Sequence, residues 1–200
     1  MKDFPVFHAG NLDDKEGKGV MAMNKVRIET QEVQAFEKEH IAAARKLAPE
    51  CMVLLKNDGT LPLKGTGKLA LYGSGARKTV KGGTGSGDVN VRHFVTVEEG
   101  LKNAGFEVTT GNWLDGYDQV VAEAKAAFFG ALRKEAEALG LKGSQIGFYS
   151  MGKACPEPEY DLALDGDGDT AVYILARNSG EGADRAPVAG DINLTQTEIR

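Results

Sequence analysis

The residues best suited to chemistry lie on glycine-rich segments. Glu181 stands in ARNSGEGADR, residues 176–185, between Gly180 and Gly182 and just after an apolar run, TAVYIL. A carboxylic acid that protonates a leaving oxygen must be held in place, yet able to reach. It also needs a partly dry setting that raises its pKa. Flanking glycines permit the unusual backbone angles that such a reach requires. Asp184 and Arg185 follow closely and are suited to pair and brace the loop. On these residues alone a plainer reading stays open beside this one: a solvated loop carboxylate with an ordinary pKa.

A second segment, GSGARKTVKGGTGSGDVN at 73–90, follows the apolar run LALYG. Gly73 and Gly75 begin a dinucleotide fingerprint, but Lys78 stands where its third glycine belongs. The phosphate-binding string GxxxxGK[ST] does not occur, so nucleotide binding is disfavoured. Glycines still let a backbone approach a ligand closely, and Ser86 and Asp88 offer a hydroxyl and a carboxylate suited to sugar hydroxyls. Surface loop and binding loop remain equally open here. Asp165, Asp167 and Asp169 have the spacing that begins a calcium loop, but Thr170 and Ala176 stand where that loop needs Gly and Glu. The DGDGD run therefore reads as a solvated turn. No CxxC string or Cys/His cluster suggests zinc, and no metal site is expected. Cys51, in CMVLL, reads as a reduced core thiol, and Cys155, in ACPEPEY, as a loop thiol.

These loops must be carried by a scaffold, and the bulk properties suit an ordinary globular one. The 200 residues are 42% hydrophobic and 26% charged, with a net charge of −5. That charge gives no reason to expect nucleic acid or an anionic membrane as partner. No apolar run approaches the roughly 18 residues that span a bilayer. The polar start lacks the apolar core of a secretory signal, so the chain reads as cytoplasmic.

Residues 1–32 read as a polar N-terminal arm. Helix formers run from about Thr30 to Leu55, with Val33, Phe36, His40 and Ala44 on one face and a break near Pro49. KNDGTLPL is a turn. LALYG, FEVTT and TAVYILA read as strands, TVEEGLKNAG as a helix capped by Thr96 and Glu99, and 113–141 as a long Ala-rich helix weakened at Gly130. A long connection precedes the third strand, and Thr195 with Glu198 caps a final helix start. Such alternation predicts an α/β fold with a mostly parallel sheet. Three strands are thin for such a sheet, so the domain is expected to continue past Arg200.

Taken together and in order, CMVLLKNDGTLPL, KLALYGSGARKTVKGGTGSGDVN, VEEGLKNAGFEVTT, AVYILARNSGEGADR and GDINLTQTE resemble the α/β sandwich domain of family 3 glycoside hydrolases, the β-glucosidase type. The resemblance covers 33–200. It implies a partial (α/β)6 sandwich-type domain, truncated at its C-terminal side. It implies retaining hydrolysis of O-glycosyl bonds by two carboxylates, without a cofactor. Glu181 matches the family's acid/base, and Ser86 the loop residue that reaches the bound sugar. The nucleophilic Asp belongs to a (β/α)8 barrel, and neither that barrel nor its Lys-His-Phe string occurs in these residues. The expected partners are a β-linked oligosaccharide or glycoside and such a barrel in the same full-length protein. A permuted member with the sandwich first fits this arrangement; a piece of the commoner order is the other possibility. The chain alone is expected to be inactive. The alternative function is a non-catalytic carbohydrate-binding or interaction module of the same fold.

Overall fold

The computed structural model describes residues 32–82, 91–179 and 184–200. The chain divides into two compact units, Met1–Asp58 and Gly59–Arg200. In the first, helix α1 spans Ala35–Leu47 and a short 3-10 turn follows over Ala48–Cys51, where Pro49 ends the α-helical pattern. Gln34 and Glu37 close a reciprocal cap at the start of α1, and the Phe36 and His40 rings meet edge to face at 5.8 Å, as the helical spacing predicts. No residue of α1 is buried. Cys51 is exposed, and so is the apolar run after it, from 62% at Leu54 to 92% at Leu55. The expectation of a core thiol is therefore corrected. Apolar composition tells that a segment can be buried, not that an element lies against it.

The second unit is built on a parallel sheet. Strands β1 (Lys68–Tyr72), β2 (Glu107–Val108) and β3 (Thr170–Tyr173) lie in the order β2-β1-β3. Helix α2 (Val97–Asn103) links β1 to β2, and α3 (Gly111–Ala138) with α4 (Ser144–Ser150) links β2 to β3. The central β1 is apolar along its length because neighbours cover both of its faces: Leu69 and Leu71 are fully buried, and Ala70 and Tyr72 nearly so. Each buried leucine contributes about 1.5–3 kcal/mol. β2 is shorter than FEVTT suggests. Beyond Val108, the Thr110 hydroxyl takes over the ladder, donating to the Leu71 carbonyl at 2.6 Å and accepting from its N–H at 2.9 Å.

Helix α3 runs unbroken through Gly130 and supplies the other half of the core, Trp113, Leu114, Tyr117 and Val121. Trp113 stacks on Tyr117 at 5.3 Å and meets Tyr72 and Tyr160 edge-on at 5.0 and 5.8 Å. α2 starts at Thr96, whose side chain accepts from the Glu99 N–H; the Glu99 carboxylate turns instead to His93 at 2.9 Å. α4 went unforeseen: its cap is Gly143 at φ +55°, with no side-chain hydrogen bond to signal it. The DGDGD run packs against β1. A Cβ on Gly166 would lie 2.5 Å from Ala70 Cβ, its N–H donates to the Tyr72 hydroxyl at 2.9 Å, and Asp167 pairs with Lys68. No group of three or more metal-ligating side chains occurs among the described residues, and no helix among them is long and apolar enough to cross a membrane.

Candidate active site

β1 occupies the middle of the sheet. The chain leaves it for β2 on one side and later returns to β3 on the other. The segments that follow β1 and β3 therefore leave the sheet side by side, at the crevice beyond the C-terminal ends of those strands. That crevice is where open α/β sheets take ligands. Both glycine-rich segments begin there.

The exits of the two strands are fastened together. The Ile174 N–H donates to the Tyr72 carbonyl and the Gly75 N–H to the Ile174 carbonyl, both at 2.9 Å. The Ser74 hydroxyl accepts from the Ala176 N–H at 3.0 Å and donates to its carbonyl at 3.3 Å. Gly73 turns at φ +94°, where a Cβ would stand 2.5 Å from the Ile174 carbonyl oxygen. The chain after β1 is then clamped by Arg77, which donates to Glu98 at 2.7 Å and to Asp115 at 2.5 Å. Lys78 pairs with Asp118 at 3.0 Å. Burial pushes the Glu98 carboxyl upward, but hydrogen bonds from Arg77 and Lys102 outweigh it and hold the pKa below the usual range. Ser86 and Asp88, expected at the tip of this segment, lie outside the described residues, as does Glu181.

The two feet of the Glu181 segment converge on one residue, Asp191. On the outgoing side, Arg177 donates through Nε to the Asp191 carbonyl at 2.7 Å and through Nη2 to Glu198 at 2.6 Å. Burial lowers the pKa of Arg177, and the Glu198 carboxylate more than restores it. On the returning side, Arg185 Nε lies 2.5 Å from Asp191 Oδ1, and the Ala186 N–H donates to Oδ2 at 2.7 Å. Arg185 and Asp191 are each less than one-fifth exposed. Arg185 thus pairs with Asp191, and Asp184 stands exposed beside it. Short backbone bonds tighten the turn behind Asp191: Ile192 N–H to the Ala186 carbonyl at 3.1 Å, and Gly190 N–H to the Asn193 carbonyl at 2.9 Å.

Two further residues hold this knot that the sequence reading did not single out as site residues. Glu198 accepts from the Thr195 N–H at 2.9 Å, so the cap of helix α5 (Gln196–Ile199) also anchors Arg177. Glu157 reaches the knot from the long connection. Its N–H donates to the Gly190 carbonyl at 2.7 Å, and its carboxylate accepts from the Tyr117 hydroxyl at 2.5 Å. Burial pushes the Glu157 carboxyl up, and the Tyr117 hydrogen bond only partly offsets it. The signal for Glu198 was its place three residues after Thr195; Asp191 and Glu157 carry no spacing that reveals their role.

Arg177, Arg185, Asp191, Glu198 and Glu157 thus form a hydrogen-bonded and ion-paired frame at the two ends of the segment that carries Glu181. Known proteins resemble the chain that carries it. Residues 52–199 match the family model described as the glycosyl hydrolase family 3 C-terminal domain. Beta-glucosidase A of Butyrivibrio fibrisolvens is 36% identical over 163 residues, which covers 80% of this chain and 17% of that protein. A beta-glucosidase of Ruminococcus albus is 30% identical over 164 residues, covering 80% of this chain and 16% of that protein. Among solved structures, beta-glucosidase 3B of Thermotoga neapolitana in complex with α-D-glucose superposes with a TM-score of 0.57 at 28% identity, covering 83% of this chain and 22% of that one. The chain thus spans about one-fifth or less of the length of these relatives. With its parallel sheet, its paired glycine-rich segments and a match over most of its length, this chain belongs to glycosyl hydrolase family 3, as a domain of the C-terminal type.

Proposed function

We propose that this domain supplies the general acid/base, Glu181, of a retaining β-glycosidase of the β-glucosidase kind. The observation that supports it is the convergence of Arg177 and Arg185 on Asp191 at the exit of β3. Fastening both ends of a segment limits how far its middle can stray, and proton transfer to a leaving oxygen demands a positioned donor. Glu181 first gives its proton to the glycosidic oxygen, then takes one from the water that releases the sugar. The nucleophile is an Asp on a (β/α)8 barrel, brought to about 5–5.5 Å from Glu181 as retention requires. Ser86 and Asp88 hold sugar hydroxyls, and Asp184 with Arg185 supports the loop. The substrate is a β-linked oligosaccharide or glycoside. Residues 33–200 form the sandwich domain and 1–32 an arm, in the same reading.

The test is kinetic. In a polypeptide that joins this domain to its barrel, Glu181→Ala should slow cleavage of glycosides with poor leaving groups by about 10²–10⁴-fold. Activated dinitrophenyl glycosides, which need no protonation, should suffer much less at the glycosylation step. Added azide should restore turnover and yield the β-glycosyl azide. Equal loss on both substrate classes, without azide rescue, would count against the acid role. The 200-residue chain by itself should turn over no aryl β-glycoside.

A further inference from the structure

A cavity of about 400 Å³ opens beside the Asp191 knot, within the range of small-ligand sites. One wall is a stripe of α3, Tyr117, Val121, Lys125 and Phe129, spaced four residues apart and so turned to one side of the helix. Tyr117 and Val121 are buried at its inner end; Phe129, at the rim, leaves 43% of its surface open. Val80 adds a second open apolar surface, 46% exposed. The facing wall is the segment that carries Lys153 and Glu157, and Ser74 and Ala176 lie at the strand exits.

Five cations line this cavity against one carboxylate. Three of the five are neutralised: Lys78 by Asp118, Arg177 by Glu198 and Arg185 by Asp191. Lys125 and Lys153 have no carboxylate partner among the described residues; Lys153 rests its ammonium 3.8 Å above the Tyr149 ring. The one carboxylate, Glu157, is engaged by the Tyr117 hydroxyl. The cavity therefore couples an exposed aromatic and aliphatic wall to two ammonium groups that no described carboxylate pairs.

We propose that this cavity binds a small aromatic carboxylate, with the ring against Val121 and Phe129 and the anion between Lys125 and Lys153. An inorganic anion would leave the apolar wall unused, and a neutral ring would leave the ammonium pair uncompensated. Because Arg185, a foot of the Glu181 segment, also lines the cavity, its occupant is suited to be an acidic phenolic leaving group. That use rests on the reading of Glu181 above; the site itself does not.

The full 200-residue chain, labelled with ¹⁵N, is titrated with 4-hydroxybenzoate at low salt, and with the neutral 4-hydroxybenzamide for comparison. Saturable shifts are expected at the amides around Val121 to Phe129 and Lys153 to Glu157. The amide should bind about tenfold more weakly, the factor that one charge-assisted hydrogen bond supplies. Lys125→Met keeps the apolar stem and should weaken the carboxylate about tenfold while leaving the amide unchanged. Phe129→Ala, at a position that leaves 43% of its surface open, should weaken both, with the ¹⁵N spectrum of the variant showing that the fold is kept. Equal affinity for the two probes, no loss in Lys125→Met, shifts centred elsewhere, or no saturation would each overturn the proposal. A failed titration would sink this site and leave the role of Glu181 to its own kinetic test.

Discussion

Asp191→Ala is the sharpest probe of how this domain holds its acidic loop. The substitution removes one oxygen 2.5 Å from Arg185 Nε and another that accepts from the Ala186 N–H at 2.7 Å. Arg185 keeps its charge in a place where only 18% of its side chain meets water. Breaking one half of a buried pair costs about 3–5 kcal/mol, and a single hydrogen bond to a charged group about 1.5–3 kcal/mol. The residual exposure lets water solvate the orphaned guanidinium, so the loss should fall near 2–3 kcal/mol, toward the lower of these ranges. Chemical denaturation of the full chain measures it, and hydrogen exchange at the Ala186 and Ile192 amides reads whether the turn behind the loop opens. A double-mutant cycle makes the reasoning refutable. Arg185→Ala removes the stranded cation, so the double variant should be less destabilised than the sum of the single ones by about 1 kcal/mol or more. Additivity within about 0.3–0.5 kcal/mol, together with unchanged exchange at Ala186, would refute the claim that the pair holds the loop.

Two further outcomes follow from the same frame. Gly73→Ala should cost about 2–4 kcal/mol, since it adds an unfavourable backbone angle to a Cβ 2.5 Å from the Ile174 carbonyl; thermal unfolding of the variant checks it, and a loss below about 1 kcal/mol would mean that the β1 and β3 exits yield easily. Burial raises the folded-state pKa of Glu157, so its contribution to stability is full below the ordinary carboxylate range and fades as pH rises through the raised value. The melting temperature of Glu157→Gln should accordingly fall less than that of the parent as pH rises from about 4, near the unfolded glutamate value; parallel curves for the two proteins would contradict this.

Much of the scaffold was legible because local signals and the global fold agree. The apolar runs around Leu71 and Val172 have the length and β-branched or aromatic content of strands, though only β1 is buried as its composition suggests while β3 alternates half-buried and exposed, and Thr195 with Glu198 announces a helix that the structure contains. The failures have physical causes. Ser144–Ser150 starts from a left-handed glycine rather than a side-chain cap, so nothing in its composition marks it as α4. FEVTT reads as a full strand, but a hydroxyl imitates the missing ladder at Thr110. Cys51 sits in an apolar string that the fold leaves exposed. At the site, Glu181 could be picked out because two glycines isolate it. Asp191 could not, since its importance comes from two arginines, one 14 positions away, that only the folded chain brings together.

The fastening of Ser74 to Ala176 joins positions 102 apart in the chain. Closing so long a loop earns no contact until it is nearly complete, and folds dominated by such pairings cross their barrier slowly. The segment from β1 through α3 can gather its aromatic core early, with helices and a short strand close in sequence. The crevice cannot: it has no second wall until β3 docks. As the chain leaves the ribosome, the frame around Asp191 is therefore assembled after the core from β1 through α3 has gathered. Any change that weakens the docking of β3 should lengthen the time during which the β1 edge stands unpaired and open to aggregation.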